Sequence, residues 1–215
     1  ANAALKGGAD GICAINTVLS IAGVDLDTLT PYPNVAGKST YGGLSGYCVK
    51  PIGLRCVAEV SSVMENNNCK KASMHACGGV ADWKDAAEYI TLGADVTQVC
   101  TEVMLKGMQI IDKLKYGLEN YLESKNFNSV EELRGAAISR LTLHSNLDRN
   151  HAVKAEIDYQ KCNNCGSCVV ACADSAYNAI SSVDNKTIID NTLCEGCSLC
   201  SFVCPSNAIT MSVLN

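Results

Sequence analysis

Eight cysteines between Cys162 and Cys204 restrict what this chain can fold into more than any other feature. Ile157-Asp158-x3-Cys162-x2-Cys165-x2-Cys168-x3-Cys172 recurs at an offset of 32 residues as Ile189-Asp190-x3-Cys194-x2-Cys197-x2-Cys200-x3-Cys204. Each copy closes on Asn-Ala-Ile, at 178–180 and 207–209. Two copies of one motif imply duplication and a small pseudo-twofold domain. The spacing C-x2-C-x2-C puts three thiolates on one tight loop, close enough to bind three irons of a single cubane. The fourth cysteine, at the head of the next helix, reaches the cluster of the other copy. One 4Fe–4S cluster is therefore expected on Cys162, Cys165, Cys168 and Cys204, and the other on Cys194, Cys197, Cys200 and Cys172. Structural zinc prefers two separated cysteine pairs around one tetrahedral ion, and three cysteines per loop overfill that pattern.

Small residues inside the loops (Gly166, Ser167, Gly196, Ser198) let backbone N–H groups approach the sulfurs. Pro205 follows the last ligand of the second copy, and Ala173 takes that place in the first. The stretch from about Glu156 to Met211 resembles the bacterial-type dicluster ferredoxins. A cluster pair alone transfers electrons and does no bond chemistry, so the rest of the chain must supply what it serves.

Fourteen cysteines in 215 residues are too unevenly placed for a secreted disulfide scaffold, and the chain begins with no basic and apolar signal segment. They read as metal ligands plus reduced thiols in a reducing compartment, hence a cytoplasmic protein. A net charge of −5 argues against nucleic-acid or anionic-membrane partners. The uncharged stretches Gly11–Val24 and Gly196–Asn215 carry Asn, Thr, Ser and cysteine and fit loops and strands rather than lipid.

Glycine divides the chain as sharply as cysteine does: 13 of the 17 lie at or before Gly107. Gly11–Ile15 reads as a buried strand ending at Asn16-Thr17, Lys50–Met64 as a helix, and Lys71–Ala76 as a strand. Trp83–Leu92 reads as a helix with Asp82 as its N-cap, Asp95–Cys100 as a strand, and Glu102 to about Ser124 as a helix. Strand–loop–helix units with glycines at the strand ends suggest a parallel α/β architecture. Ser129-Val-Glu-Glu132 is a capping box opening a short helix that Gly135 ends. The expected domains are residues 1–125, a helix and linker over 126–155, and the cluster domain over 156–215.

Glycines at strand C-termini followed by helix N-termini offer converging backbone N–H groups, an anion site. The ordered set Gly8–Thr17 (GADGICAINT), Tyr41–Ile52 (YGGLSGYCVKPI), Cys77–Val80 (CGGV) and Gly93–Met104 (GADVTQVCTEVM) resembles the last third of the flavin barrel of the dihydroorotate and dihydropyrimidine dehydrogenase family. The resemblance covers about residues 1–125, and with a dicluster domain behind it points to the dihydropyrimidine dehydrogenase members. It implies the C-terminal portion of an incomplete (β/α)8 TIM barrel followed by a bacterial-type ferredoxin domain. It implies FMN as a further cofactor, with Gly46 and the Cys77-Gly78-Gly79 turn holding its phosphate and ribityl end. Cys100 and Thr101 would complete that site, and Asn16 and Thr17 would hydrogen-bond a pyrimidine. The family more often has Thr at the position of Cys77.

The implied activity is reduction of a pyrimidine C=C, uracil or thymine to the 5,6-dihydropyrimidine, with electrons from an FAD/NAD(P)H-type subunit relayed through both clusters to FMN. The implied partners are that donor, the remainder of the barrel, a small pyrimidine and further copies in an oligomer. Two other readings stand beside it: a dicluster electron carrier fused to a barrel relic, and a dihydroorotate dehydrogenase-like enzyme using the clusters as an electron exit. Three or so strands cannot close an eight-stranded barrel. The chain is therefore expected to be a fragment or one piece of a split barrel, with the family's general acid cysteine and flavin-contacting lysine upstream of Ala1. His75, His144 and His151 share no ligand spacing, and Lys50 and Arg55 read as solvating their helix face. Cys13, Cys48, Cys56 and Cys69 read as core or incidental thiols, and Trp83 as packing its helix.

Overall fold

The computed structural model describes residues 1–66, 72–147 and 153–213. The chain divides into two compact units, Ala1–Thr142 and Leu143–Asn215. Cys69 and His151 lie outside the described residues.

The first unit is built on three parallel strands in the order β1 (Gly11–Ala14), β2 (Ser73–Cys77), β3 (Val96–Gln98). A short helix, α1 (Asn2–Lys6), precedes β1. Helix α2 (Lys50–Asn66) connects β1 to β2, and α3 (Trp83–Thr91) connects β2 to β3. The register Gly11↔Ser73 to Ala14↔Ala76, then His75↔Val96 to Cys77↔Gln98, brings the strand C-termini to one edge. Strand–helix–strand units with parallel neighbours are the expected unit of an α/β fold, because the helix must cross back over the sheet to return the chain in the same direction.

Helix α2 packs on β2 and α3 on β3, each burying one face in the common core. Val57, Met74, Ala76 and Tyr89 are completely or almost completely inaccessible, and Ile110 and Leu114 close the cluster from α5 (Gln109–Ser124). Helix α3 starts where expected: Asp82 accepts from the Lys84 and Asp85 amides at 2.7 and 3.2 Å, and Asp85 returns the bond to the Asp82 amide. Trp83, the first residue of α3, stacks near Tyr121 of α5, ring centroids 5.4 Å apart, with its indole over Gly117. A Cβ at Gly117 would lie 2.3 Å from Trp83 Cδ1. Helix propensity favours alanine there by ~1 kcal/mol, but forcing a rigid indole aside costs about 1–3 kcal/mol. Gly117→Ala is therefore expected to lower the urea midpoint, the opposite of its effect in an exposed helix.

Three differences from the sequence expectations have physical reasons. The helix expected from Glu102 to Ser124 is two helices, α4 (Thr101–Lys106) and α5, because Gly107 at φ 77 ends the first in a conformation that suits glycine. The segment between β1 and α2 forms short antiparallel ribbons, Val18–Ser20 with Gly42–Leu44, Gly23–Asp25 with Thr30–Tyr32, and Asn34–Val35 with Lys38–Ser39. Strands of two or three residues carry too little periodicity to be read beforehand. Around Ser129 the capping box is half formed. Ser129 accepts from the Glu132 amide at 3.4 Å, but the Glu132 carboxylate turns to the Asn128 amide, 2.9 Å away, as α6 (Val130–Leu133) opens. The chain after α6 stays on this unit, with the Gly135 amide donating to Ile90 O and Ala137 to Thr91 O.

The second unit has two antiparallel pairs, β4 (Val153–Ile157) with β7 (Ile209–Val213) and β5 (Ile180–Val183) with β6 (Lys186–Ile189), and the helices α7 (Ser167–Asp174) and α8 (Leu199–Phe202). The duplication is visible in backbone detail. Asn164 and Gly196 stand at equivalent positions with φ 53 and 68, Gly166 and Ser198 with φ 79 and 62, Asn178 and Asn207 with φ 51 and 49. The two copies also clasp each other: the Asp158 amide donates to Ala208 O at 2.8 Å and the Asp190 amide to Ala179 O at 2.7 Å. Among the described residues no helix is long and apolar enough to cross a membrane.

Candidate functional site

In the second unit the eight expected ligands sort into two cavities. Cys162, Cys165, Cys168 and Cys204 line one, with Asn163, Ser167 and Ser206. Cys172, Cys194, Cys197 and Cys200 line the other, with Tyr177 and Glu195. In each cavity three thiols come from one copy's loop and helix start and the fourth from the other copy. That fourth cysteine stands at the end of the preceding helix (Cys172 in the last turn of α7, Cys204 just after α8) and not at the head of the next. The contribution crosses over because β4 pairs with β7 (Ile157↔Ile209) and so seats the second copy's closing turn against the first copy's loop.

Each fourth cysteine accepts a backbone hydrogen bond: Ala179 N–H donates to Cys172 Sγ at 3.2 Å and Ala208 N–H to Cys204 Sγ at 3.3 Å. Cys168, Cys194 and Cys200 are buried, and Cys165 and Cys197 are exposed. Among the described residues no three His, Cys, Asp or Glu side chains converge as ligands of a single ion. Four thiols around a volume, with amides directed at sulfur, suit a cubane, whose potential is set partly by such bonds.

In the first unit one cavity of about 300 Å³ opens at the C-terminal ends of the three strands. Asn16, Thr17, Gly46, Cys77, Gly78, Gly79, Cys100 and Thr101 all line it, and so do Ser45, Gln98 and Glu102. Its floor is formed by backbone turns. Gly46, Gly78 and Gly79 have φ of 87, 135 and 71, which L side chains rarely adopt. A Cβ on Gly79 would sit 2.8 Å from Gly46 O and 3.0 Å from Lys50 N, so the two glycine turns are in direct contact. Among the described residues nothing accepts from the Gly46, Gly79 or Val80 amides, which leaves donors for an anion. Thr101 Oγ1 donates to Ser45 Oγ at 3.2 Å, tying the start of α4 to the Gly46 turn. Cys100 precedes α4 as its N-cap without making a side-chain cap. Burial pushes the Cys77 thiol pKa up, with lesser contributions from Cys13 and Cys100, so it stays protonated and small.

A brace under the glycine turn has no local sequence signature. Lys50, the first residue of α2, forms a close ion pair with Asp85 of α3 and a second at 2.8 Å with Glu88. The Lys50 and Asp85 side chains are only 12% and 4% exposed, so the expectation that Lys50 solvates its helix face is corrected. Asp85 also accepts from the Ala81 and Asp82 amides at 2.8 and 2.9 Å, fixing the end of the turn. Burial alone would lower the Lys50 pKa, but its carboxylate partners hold it above the ordinary lysine range. Burial alone would raise that of Asp85, but Lys50 and the two amides hold it below the ordinary carboxylate range. Tyr89, fully buried, donates to Gly78 O at 2.6 Å, and burial above all raises its pKa to about 12, so it remains a donor.

Arg55 is exposed and pairs with Glu59 at 2.8 Å. His75 Nε2 lies 3.0 Å from Ser73 Oγ, and His144 opens a 3₁₀ turn in the second unit. Cys13 and Cys48 are exposed rather than in the core, and Cys56 is half-buried.

The first unit matches the family model described as dihydroorotate dehydrogenase over residues 1–122, and the second the model described as 4Fe-4S dicluster domain over 155–211. The chain belongs to the dihydroorotate dehydrogenase family and carries a 4Fe–4S dicluster domain. Iron–sulfur clusters and FMN are the cofactors these families indicate. Within that class the similarity runs to dihydropyrimidine dehydrogenases. The chain is 39% identical over 211 residues to the NAD-dependent dihydropyrimidine dehydrogenase subunit PreA of Escherichia coli (strain K12), covering 97% of this chain and 51% of that protein. It is 40% identical over 147 residues to the chloroplastic dihydropyrimidine dehydrogenase (NADP(+)) of Arabidopsis thaliana, covering 68% of this chain and 34% of that protein. Identity to the catalytic subunit of dihydroorotate dehydrogenase B (NAD(+)) of Pyrococcus abyssi is 37% over 136 residues, 63% of this chain and 42% of that one. The chain thus spans about half or less of the length of these relatives.

Proposed function

We propose that this chain is the C-terminal portion of a flavin barrel joined to its electron-relay domain, in an oxidoreductase that reduces the C=C bond of uracil or thymine. The observation that carries the proposal is that every residue assigned to flavin or pyrimidine lines one cavity at the C-terminal ends of parallel strands, where enzymes of this architecture act. When bound, the clusters supply single electrons and FMN supplies the hydride chemistry. The chain's own part is positional. The amides of Gly46, Gly79 and Val80 hold the phosphate end, and Thr101 positions the Gly46 turn for it through Ser45. Asn16 and Thr17, placed where β1 ends, offer amide and hydroxyl groups to a pyrimidine's N–H and C=O. The Asn16 side chain is oriented by accepting from the Thr17 amide at 2.8 Å.

Glu102 is the one charged side chain lining this cavity among the described residues, and it pairs with Lys106 at 2.5 Å. The remaining barrel strands, an FAD- and NAD(P)H-binding donor, further copies in an oligomer and a cytoplasmic setting complete the proposal. Cys162, Cys165, Cys168 and Cys204 hold one cluster and Cys172, Cys194, Cys197 and Cys200 the other.

Anaerobic reconstitution of the chain together with the preceding barrel half tests it. The expected result is eight iron and eight sulfide per chain, flavin absorbance, and reoxidation of reduced flavin by uracil or thymine but not by orotate. Iron without flavin would leave only the electron-carrier reading.

A further inference from the structure

The two copies of the cysteine motif are not equivalent around their thiolates, and the serine hydroxyls within reach of sulfur all belong to one of the two sets. Ser167 Oγ lies 3.5 Å from Cys165 Sγ, and Ser206 Oγ lies 3.6 Å from Cys204 Sγ. A ligating thiolate has no proton, so in both contacts the serine hydroxyl is the donor. At an offset of 32 the counterpart of Ser167 is Leu199, beside Cys197, and the counterpart of Ser206 is Asp174, beside Cys172. The first cavity thus has two hydroxyl donors at sulfur, whereas of the two counterparts Leu199 lines the second cavity and Asp174 lies outside its lining.

The hydroxyls nearest the second set do not compensate. Ser198 donates to Cys197 O at 2.7 Å and Ser175 to Cys172 O at 2.9 Å. Acidic charge runs the same way, since Glu195 lines the second cavity where its counterpart Asn163 lines the first. The backbone donors to Cys172 and Cys204 are matched and cancel. Two contacts oppose the trend. Asn164 Oδ1, an acceptor, lies 3.5 Å from Cys162 Sγ, and Lys154 donates to Cys194 O, whereas its counterpart Lys186 stands 4.5 Å over the Tyr159 ring. The Lys154 contact is to a carbonyl, while the serines donate to the ligating sulfurs.

Hydrogen bonds to cluster sulfurs and nearby positive charge stabilise the reduced, more negative state, and nearby carboxylates oppose it. From this we propose that Ser167 and Ser206 make the cluster on Cys162, Cys165, Cys168 and Cys204 the more readily reduced of the two, so that a single added electron resides there. The inference rests on the cluster assignment above. Each step is a one-electron reduction of a cluster from its 2+ to its 1+ state, the electron coming from dithionite through mediator dyes.

Potentiometric reduction of the reconstituted chain, followed by electron paramagnetic resonance, tests it. Coulombic coupling between neighbouring clusters can split the waves even of identical sites, so variants decide the assignment. Ser167→Ala and Ser206→Ala are each expected to move the higher wave down, changing the reduced-to-oxidised ratio of that cluster about tenfold at fixed potential, which is about 59 mV. Leu199→Ser, which supplies the missing donor, is expected to move the lower wave up. Serine variants that leave the higher wave in place, or shift the lower one, would overturn the proposal. A chain that takes up eight iron and still gives these results refutes only the inequality. A chain that cannot take up eight iron refutes the cluster assignment itself.

Discussion

Lys50→Met is expected to destabilise the first unit by about 3–5 kcal/mol, the usual cost of leaving one partner of a buried ion pair uncompensated. Against a typical total of about 5–15 kcal/mol, that is enough to lower the denaturation midpoint severely. Asp85 is 4% exposed and keeps its two backbone donors from Ala81 and Asp82, but it loses the ammonium. Lys50→Met combined with Asp85→Asn is expected to recover part of the loss. The amide still offers an oxygen to the Ala81–Asp82 turn, and no charge is left buried. Urea denaturation of the three variants checks this, and a double variant no better than Lys50→Met would mean that the methionine, not the stranded charge, does the damage.

The pH dependence has a definite sign on each side. The Asp85 pKa is held below its ordinary 3.8, so its contribution is present above that value and is lost as pH falls through the lower folded value. The Lys50 pKa is held above its ordinary 10.5, so its contribution is present below that value and is lost as pH rises through the higher folded value. Between these limits the pair is constant. The deficit of Lys50→Met should therefore be flat near neutrality and shrink as pH falls into the carboxylate range. There protonation relieves the stranded charge in the variant while the wild type loses its pair. Because Asp85, which loses its ammonium partner, also fixes the Ala81–Asp82 end of the glycine turn, the same variant is expected to weaken FMN retention, read by flavin fluorescence on dilution.

That brace also marks where sequence reading stops. Periodicity places Lys50 on α2 and Asp85 on α3, but the partners are 35 residues apart and nothing in either helix names the other. Asp85 is even explained without Lys50, since a carboxylate three residues after Asp82 completes a capping box. The strands β1 and β2 were legible as short apolar runs that end at Asn16-Thr17 and Gly78-Gly79, and β3 as one that the Gly93-Ala-Asp95 turn opens. The helix break at Gly107 was not, because a single glycine within an amphipathic pattern is equally well tolerated inside a helix. The cysteine sites were the most legible part. A cubane has fixed dimensions, so the spacing of its ligands along a loop is a geometric statement in its own right. The inequality between the copies, Ser167 against Leu199 and Ser206 against Asp174, was also written in the repeat, but its meaning depends on which atoms come within reach of sulfur.

The crossed assignment of Cys204 and Cys172 makes the second large prediction, because it fixes how pairs of substitutions combine. Cys204→Ala and Cys162→Ala remove ligands of the same cavity, so each alone, and both together, are expected to leave about four of eight irons. Cys204→Ala with Cys194→Ala strikes both cavities, and is expected to leave almost none. If each motif bound its own cluster, the two outcomes would be exchanged. Stability should follow the same arithmetic. The core of the second unit includes the proposed ligands, with Cys168, Cys194 and Cys200 buried among Ala155, Ala179, Ile180 and Ile209. So small a unit buries little else, and cluster binding is then a large share of its folding free energy. The single variants are expected to stay folded around the surviving cluster, and the Cys194–Cys204 double variant to lose its amide protection from hydrogen exchange across β4 and β7. Iron analysis and exchange measured on the same samples would separate loss of a ligand from loss of the fold, since only the crossed arrangement predicts that Cys162–Cys204 keeps what Cys194–Cys204 loses.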